Sequence, residues 1–260
     1  MTWILHHGDC LDPVAGLASL ADGSVDHVIC DPPYDEHTHK AVRRNATGYV
    51  EAESSVRASI SRNVDLGFEP LTDAQMAGIA TECKRLCRRW AMFFCTVEMV
   101  SAWKAAIERA GLDYVRTCFW DRVNGAPQFT GDRPASACEA IVTAHRRGRK
   151  RWNAGGKRGI YHHPIVLNRG AGEERVHTTQ KPLSLMREIV EDFTDPGDLI
   201  LDPFAGSGTT GVAAIQLGRR FIGWELSEEY HTIATRRLRG DEAKPRKEQP
   251  NLFDAIGGAR

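Results

Sequence analysis

Apolar positions along the chain follow two rhythms. Short apolar runs at 3–5, 91–97, 199–201 and 221–224, and the run of Val25, Val28, Ile29 and Cys30, read as buried strands. Between them, apolar residues three and four apart read as helices. One helix begins at the N-cap Thr72 and runs through Trp90, with Met76, Ile79, Ala80, Cys83, Leu86 and Cys87 on one face. A second spans 100–110 and is stopped by Gly111. A third runs from Pro182 to Phe193, with Leu183, Met186, Ile189, Val190 and Phe193 as its stripe. Two more are expected over 210–217 and 227–238, and a weakly helical segment over 12–20. Strands at 114–120 and 137–144 complete the set. Strand and helix alternate, so the expected fold is α/β with a mostly parallel sheet, the last two strands forming an antiparallel edge.

The rhythm fails in three places. Residues 35–70 are polar and weakly periodic, a length of loop usually given to lids or binding loops. Residues 121–176 are rich in Gly, Pro, Arg, Asn and His. Beyond Gly240 the tail is charged, poor in apolar residues, and expected to be disordered.

Composition narrows the picture less than pattern does. The 260 residues suit one large α/β domain, alone or with a small insertion. Lys plus Arg equals Asp plus Glu at 34 each, so any surface for a polyanion must be local. A local one exists: between His145 and Arg158 stand Arg146, Arg147, Arg149, Lys150, Arg151, Lys157 and Arg158 with no acid. Trp152 and three glycines in this run suit a backbone lying close to nucleic acid, and a solvated charged loop is the plain alternative. The seven cysteines contain no C-x-x-C pair, which points to reduced thiols packed as small core residues in a cytoplasmic protein. No leader-like or membrane-length apolar segment is seen, so the chain is expected to be soluble and unsecreted. His37 and His39, His162 and His163, and Cys83 and Cys87 do not complete a ligand set, so no metal is expected.

The chemistry concentrates at strand ends. Asp31-Pro32-Pro33-Tyr34 follows the run 25–30. The prolines forbid a helix and remove two donors, leaving carbonyl acceptors beside a carboxylate and a flat ring. Such a site suits a planar ligand bearing an NH2 group. Gly206-x-Gly208-x-x-Gly211 follows the run 199–201 and opens a helix, and Glu225 ends the next strand. This spacing matches a dinucleotide fingerprint, so hydride transfer with a nicotinamide cofactor is a competing reading. Against it, Asp202-Pro203-Phe204 places an acid, a donorless residue and an aromatic where a pyrophosphate would want backbone N–H groups. A cofactor with an α-amino group, ribose and adenine but no phosphate fits better, and S-adenosylmethionine is that cofactor.

Taken with His177-Thr178-Thr179-Gln180-Lys181-Pro182, these segments resemble the amino-group DNA methyltransferases, in the class whose D-P-P-Y motif precedes the F-x-G-x-G motif. The resemblance implies a circularly permuted Rossmann-like, S-adenosylmethionine-dependent methyltransferase fold with a mostly parallel seven-stranded sheet. It divides the chain into a catalytic half (1–120), a basic target-recognition insertion (121–176), a cofactor-binding half (177–239) and the tail (240–260). It implies that Asp31, Pro32, Pro33 and Tyr34 are catalytic, with Tyr34 stacking on a flipped base while Asp31 and the Pro32 carbonyl accept its amine N–H bonds. Asp202, Pro203, Phe204, Gly206, Ser207, Gly208 and Thr209 would line the cofactor pocket, with Asp202 at the methionine amino group. Glu225 would hold the ribose and Asp9 and Cys10 would lie beside the adenine. Thr179 and Lys181 would meet the methionine carboxylate. Arg146, Arg147, Arg149, Lys150, Arg151, Trp152, Lys157 and Arg158 would contact double-stranded DNA.

Asp at the first motif position resembles adenine-N6 enzymes more than cytosine-N4 ones, and both bases offer the required amine edge. A protein glutamine methyltransferase and a noncatalytic nucleic-acid-binding module are the more distant alternatives. Dimers are common in this class, and a homodimer is one expected partner state. In the tail, Gln249, Leu252 and Phe253 resemble the short Q-x-x-L-F peptides that dock bacterial replication proteins on the sliding clamp.

Overall fold

The structure, a computed structural model, describes residues 2–33, 71–125, 131–166 and 180–241. Eight strands form one sheet: β1 (Trp3–His7), β2 (His27–Cys30), β3 (Trp90–Cys95), β4 (Asp113–Asp121), β5 (Cys138–His145), β6 (Ile160–His162), β7 (Leu199–Asp202) and β8 (Arg220–Glu225). Their spatial order is β1-β8-β7-β2-β3-β5-β4-β6. The first five in that order pair in parallel, β5 runs antiparallel to both β3 and β4, and β6 pairs in parallel with β4.

Among the described residues, five α-helices cover the sheet: α1 (Asp73–Leu86), α2 (Val100–Ala110), α3 (Leu183–Phe193), α4 (Thr209–Gln216) and α5 (Glu228–Arg239). Strand β3 shows why its run is unbroken. Ala91, Phe93 and Cys95 join one buried cluster with α1 and α2, whereas Trp90, Met92 and Phe94 join another with α3 and α4. With helices on both faces, neither set of alternating positions meets water. Six of the seven cysteines are buried, as expected of small core residues.

Helix ends follow local chemistry. The Thr72 hydroxyl accepts from Gln75 N at 3.3 Å while Gln75 Oε1 accepts from Thr72 N at 3.0 Å, a reciprocal cap. The helix stops at Leu86, short of the expected Trp90, because Cys87 turns extended and bridges to Val25. Segment 12–20 is not a helix beyond a single 3-10 turn at Leu17–Ser19. Asp12 Oδ1 captures Val14 N at 2.8 Å and Ala15 N at 2.7 Å, and these side-chain bonds displace helical ones.

The sheet has eight strands where seven were expected, because Ile160–His162 inside the insertion adds an edge strand. More broadly, the described part of 121–176 is built into the domain and does not stand apart. It supplies β5 and β6, and its return path is tied to α3. Asn153 Nδ2 donates to Thr194 O at 2.8 Å, Tyr161 OH donates to Asp192 at 3.0 Å, and Lys157 pairs with Glu188 at 2.6 Å and with Asp192.

Gly211 marks the closest packing near the cofactor loop. A Cβ there would lie 2.6 Å from Leu238 Cδ2 and 2.8 Å from the Phe221 ring. Alanine favours helices over glycine by about 1 kcal/mol, but overpacking typically costs about 1–3 kcal/mol. Gly211→Ala is therefore expected to be destabilising on balance, by up to about 2 kcal/mol, read as a lower urea midpoint at unchanged m-value.

Candidate active site

In a parallel sheet, ligands settle where neighbouring strands send their connections in opposite directions. Here that point lies between β2 and β7, which pair through Val28 and Leu201. From β2 the chain leaves toward β3, and from β7 it leaves through α4 toward β8. Asp31 follows β2 and Asp202 ends β7, so two distant stretches of sequence deliver a carboxyl each to one crevice.

On the β7 side, Asp202 is buried and its Oδ1 accepts from Phe204 N at 3.0 Å. Burial pushes this carboxyl up to about 7; bonds from Thr210 and Phe204 N work against that, and the charges of Asp31 and Glu225 add to it. Glu225 accepts from Gly206 N at 2.7 Å through Oε2 and from Ser227 N at 2.8 Å through Oε1. Each oxygen keeps a lone pair for a hydroxyl donor, and burial raises this carboxyl too. Gly206 and Gly208 have φ of 52° and 79°, conformations that favour glycine and let the loop double back onto α4. Pro203 and Ser207 are buried, Phe204 is half-buried, and Thr209 starts α4. Arg237 of α5 fixes the loop, donating to Ser207 O at 2.7 Å and to Thr209 Oγ1 at 3.0 Å. Residues 8–10 join this wall because Gly8 N donates to Glu225 O at 2.9 Å. Asp9 is exposed and Cys10 is buried.

On the β2 side, Pro32 is buried and Asp31 retains 24% of its side-chain exposure. Lys181, only 6% exposed, sits 2.6 Å from Asp31 Oδ2 and 3.3 Å from Glu139 Oε2, with its ammonium 5.2 Å from the centre of the Phe94 ring. Burial works against the Lys181 charge, yet Asp31 and Glu139 more than offset it and hold the ammonium above its ordinary range. Burial likewise raises Asp31, with the pull of Lys181 opposing it and Glu139 reinforcing it. In this structure Lys181 holds Asp31, a pairing the sequence reading did not include. Glu139 was not singled out in the sequence. Its signal was an acid opening an otherwise apolar strand, where β5, running backward, brings its first residues to the Asp31 edge.

Replacing Lys181 with Met removes the ammonium that opposes protonation of Asp31. The acidic limb of the methylation pH profile is expected to move to higher pH, and an unmoved limb would contradict the pairing.

The crevice therefore gathers three acids, Asp31, Asp202 and Glu225; burial raises each of them, and the charges of the other two add to the rise at Asp202. A diphosphate would add charge of the wrong sign. A ligand carrying an ammonium and a sulfonium supplies the opposite charge, so the residues fit S-adenosylmethionine and not a dinucleotide. Tyr34 and Thr179 lie outside the described residues.

The basic run is elsewhere. His145 ends β5 opposite Trp90, the first residue of β3, so residues 146–151 emerge at the opposite end of the strands from Asp31. Arg146 donates to Cys87 O at 3.2 Å, Lys150 meets Asp113 at 3.7 Å, and Arg151 meets Asp195 at 3.1 Å. Trp152 packs edge-on against Phe193, and Lys157 belongs to the α3 network. Arg147, Arg149 and Arg158 are exposed. None of the eight is brought to the crevice. The histidines at 162 and 163 pair with Asp121 and with Ser184 and Glu188.

Comparison with known proteins agrees with this geometry. The chain is 27% identical over 267 residues to the type II methyltransferase M.HinfI of Haemophilus influenzae, covering 96% of this chain and 70% of that protein. Its fold matches M1.HpyAVI, solved as a complex with S-adenosylmethionine, at a TM-score of 0.65 and 24% identity, covering 91% of this chain and 98% of that one. It also matches the cytosine-N4-specific PvuII DNA methyltransferase at a TM-score of 0.68 and 15% identity, covering 92% and 86%. The N6/N4 DNA methylase family profile matches residues 25–236, which spans both walls of the crevice, and the chain belongs to that family.

Proposed function

We propose that this chain transfers a methyl group from S-adenosylmethionine to the N6 amine of a flipped adenine in double-stranded DNA. The observation that carries the reading is the meeting of Asp31 and Asp202 at one switch point, one wall suited to an amine edge and the other to a cationic cofactor. When bound, the cofactor supplies an electrophilic methyl on a sulfonium. An exocyclic amine is a weak nucleophile, because its lone pair is delocalised into the ring. Asp31 and the Pro32 carbonyl, accepting its two N–H bonds, would turn that lone pair out of the ring plane, and Tyr34, next in the chain after Pro33, would stack on the base face. Lys181, itself anchored by Glu139, holds the Asp31 carboxylate in place, so little reorganisation is needed when the base arrives. The proton released by the methylated amine would leave through Asp31.

Cytosine N4 is the second reading, favoured by the fold match to a cytosine-N4-specific enzyme. Incubating the protein with methyl-tritiated cofactor and duplex DNA, then separating the digested nucleosides, decides the matter. Label in N6-methyladenine is the expected result, label in N4-methylcytosine selects the second reading, and unlabelled DNA refutes both.

Target recognition we assign to segments that reach the Asp31 edge, around 122–125 and 163–166, where Asn124 Oδ1 accepts from Ile165 N at 2.6 Å. The expected clamp peptide at Gln249, Leu252 and Phe253 lies outside the described residues. Deleting 249–254 is expected to abolish capture by a sliding clamp without loss of activity on short duplexes. A homodimer would show as twice the chain mass in solution.

A further inference from the structure

We propose that the end of the sheet opposite the active site is a second, sequence-independent DNA surface, which grips a duplex segment other than the one holding the target base. The proposal rests on reading the chain as a DNA methylase and concerns a different face. Its centre is the loop that follows β5, with Arg147 and Arg149 both exposed and in no ion pair among the described residues. Gly148 between them has φ of 139°, a backbone conformation that favours glycine.

The surrounding ion pairs orient charge unevenly. Arg88, Arg89 and Arg151 keep 59%, 38% and 66% of their side-chain exposure, whereas their partners Asp26, Asp198 and Asp195 keep 13%, 12% and 21%. The acids are turned inward to backbone groups: Asp26 Oδ2 accepts from Leu199 N at 2.9 Å and Asp198 Oδ2 from Asp195 N at 2.8 Å. Formal charges nearly cancel, but what water meets is guanidinium. Exposed guanidinium groups suit phosphate oxygens, which they grip without reading bases.

Geometry separates this contact from catalysis. Trp90, level with His145, starts β3 while Phe93, level with Cys30, lies near its end, so the loop and Asp31 sit at opposite ends of the strands. A short straight duplex laid across the Asp31 end does not reach the loop. A long DNA does, by folding back, and the second grip would hold the enzyme on the same molecule between turnovers.

The test compares wild type with Arg147→Glu/Arg149→Glu, checking the folds by circular dichroism. The probes are a random-sequence duplex for binding, and a short target duplex and a plasmid for methylation. We expect the variant to bind random duplex at least tenfold more weakly at low salt. Its slope of log affinity against log salt should be shallower by about 1.8, the loss of about two phosphate contacts. Methylation of the short duplex should persist within twofold while the number of methyl groups placed per plasmid encounter drops. An unchanged salt slope overturns the proposal, even if an acidic protein binds the loop instead. Equal losses on short duplex and plasmid also overturn it, since they place the loop in target contact. Should wild type methylate no DNA at all, the catalytic reading fails on its own, while the salt slope still decides the surface.

Discussion

Asp31→Asn is expected to bind S-adenosylmethionine with an affinity within about threefold of wild type and to methylate DNA about 10²–10³-fold more slowly in single turnover. The size follows from losing one preorganised electrostatic contact at the reacting group. The amide keeps one acceptor oxygen but carries an NH2 where the carboxylate had a second, so it opposes an amine edge it should receive. Lys181 keeps Glu139, 3.3 Å away, so its ammonium is not stranded and the fold should survive. Asp31→Ala should lose as much activity, with a larger drop in stability because more of the pairing is lost. Calorimetric titration of cofactor checks the first half and rapid-quench methylation the second. Full activity in either variant would remove Asp31 from the chemistry.

Asp202→Asn is expected to do the reverse, weakening cofactor binding by about 30-fold or more, since truncating one partner of a buried charge pair typically costs about 2–5 kcal/mol. Its carboxyl lies at about 7 in the folded protein against 3.8 when exposed, chiefly because it is buried. To pair with an ammonium it must ionise. Wild-type affinity for the cofactor should therefore be flat above about pH 7 and fall about tenfold per unit below it, whereas the Asn variant shows no such limb. Stability has the opposite sign. A carboxyl raised on folding favours the folded state fully below the unfolded value near 4, and that contribution is lost as pH rises through about 7. Asp202→Asn should thus melt above wild type at pH 8, by at most about 4 kcal/mol, and the gap should close toward pH 4. A site that is uncomfortable when empty is the expected signature of a residue kept for its ligand and not for the fold.

Both residues could be found in the sequence because each ends a strand that declares itself. The runs at 28–30 and 199–201 are apolar without alternation, which already says that helices cover both faces and that their ends lie at a sheet edge. Caps and stops were equally local: Thr72 and Gly111 each act through bonds within a few residues, so their positions could be read directly. Where local side-chain bonds outweighed a weak period, as at Asp12, the helical expectation failed.

Long-range partners were not legible. Lys181 and Asp31 are 150 residues apart and meet only because the segment before α3 crosses the crevice, and Glu139 joins them only because β5 runs backward. The same reversal sends Arg147 and Arg149 to the far end of the sheet, although in sequence they were the expected companions of a DNA-modifying site. From the chain alone came the strand ends, their acids and the class of ligand those acids accept. Which acid faces which cation, and which edge carries the arginines, was decided by strand order and direction. A strand's pattern of burial is the same whichever way it runs, so direction is set only when the whole sheet assembles.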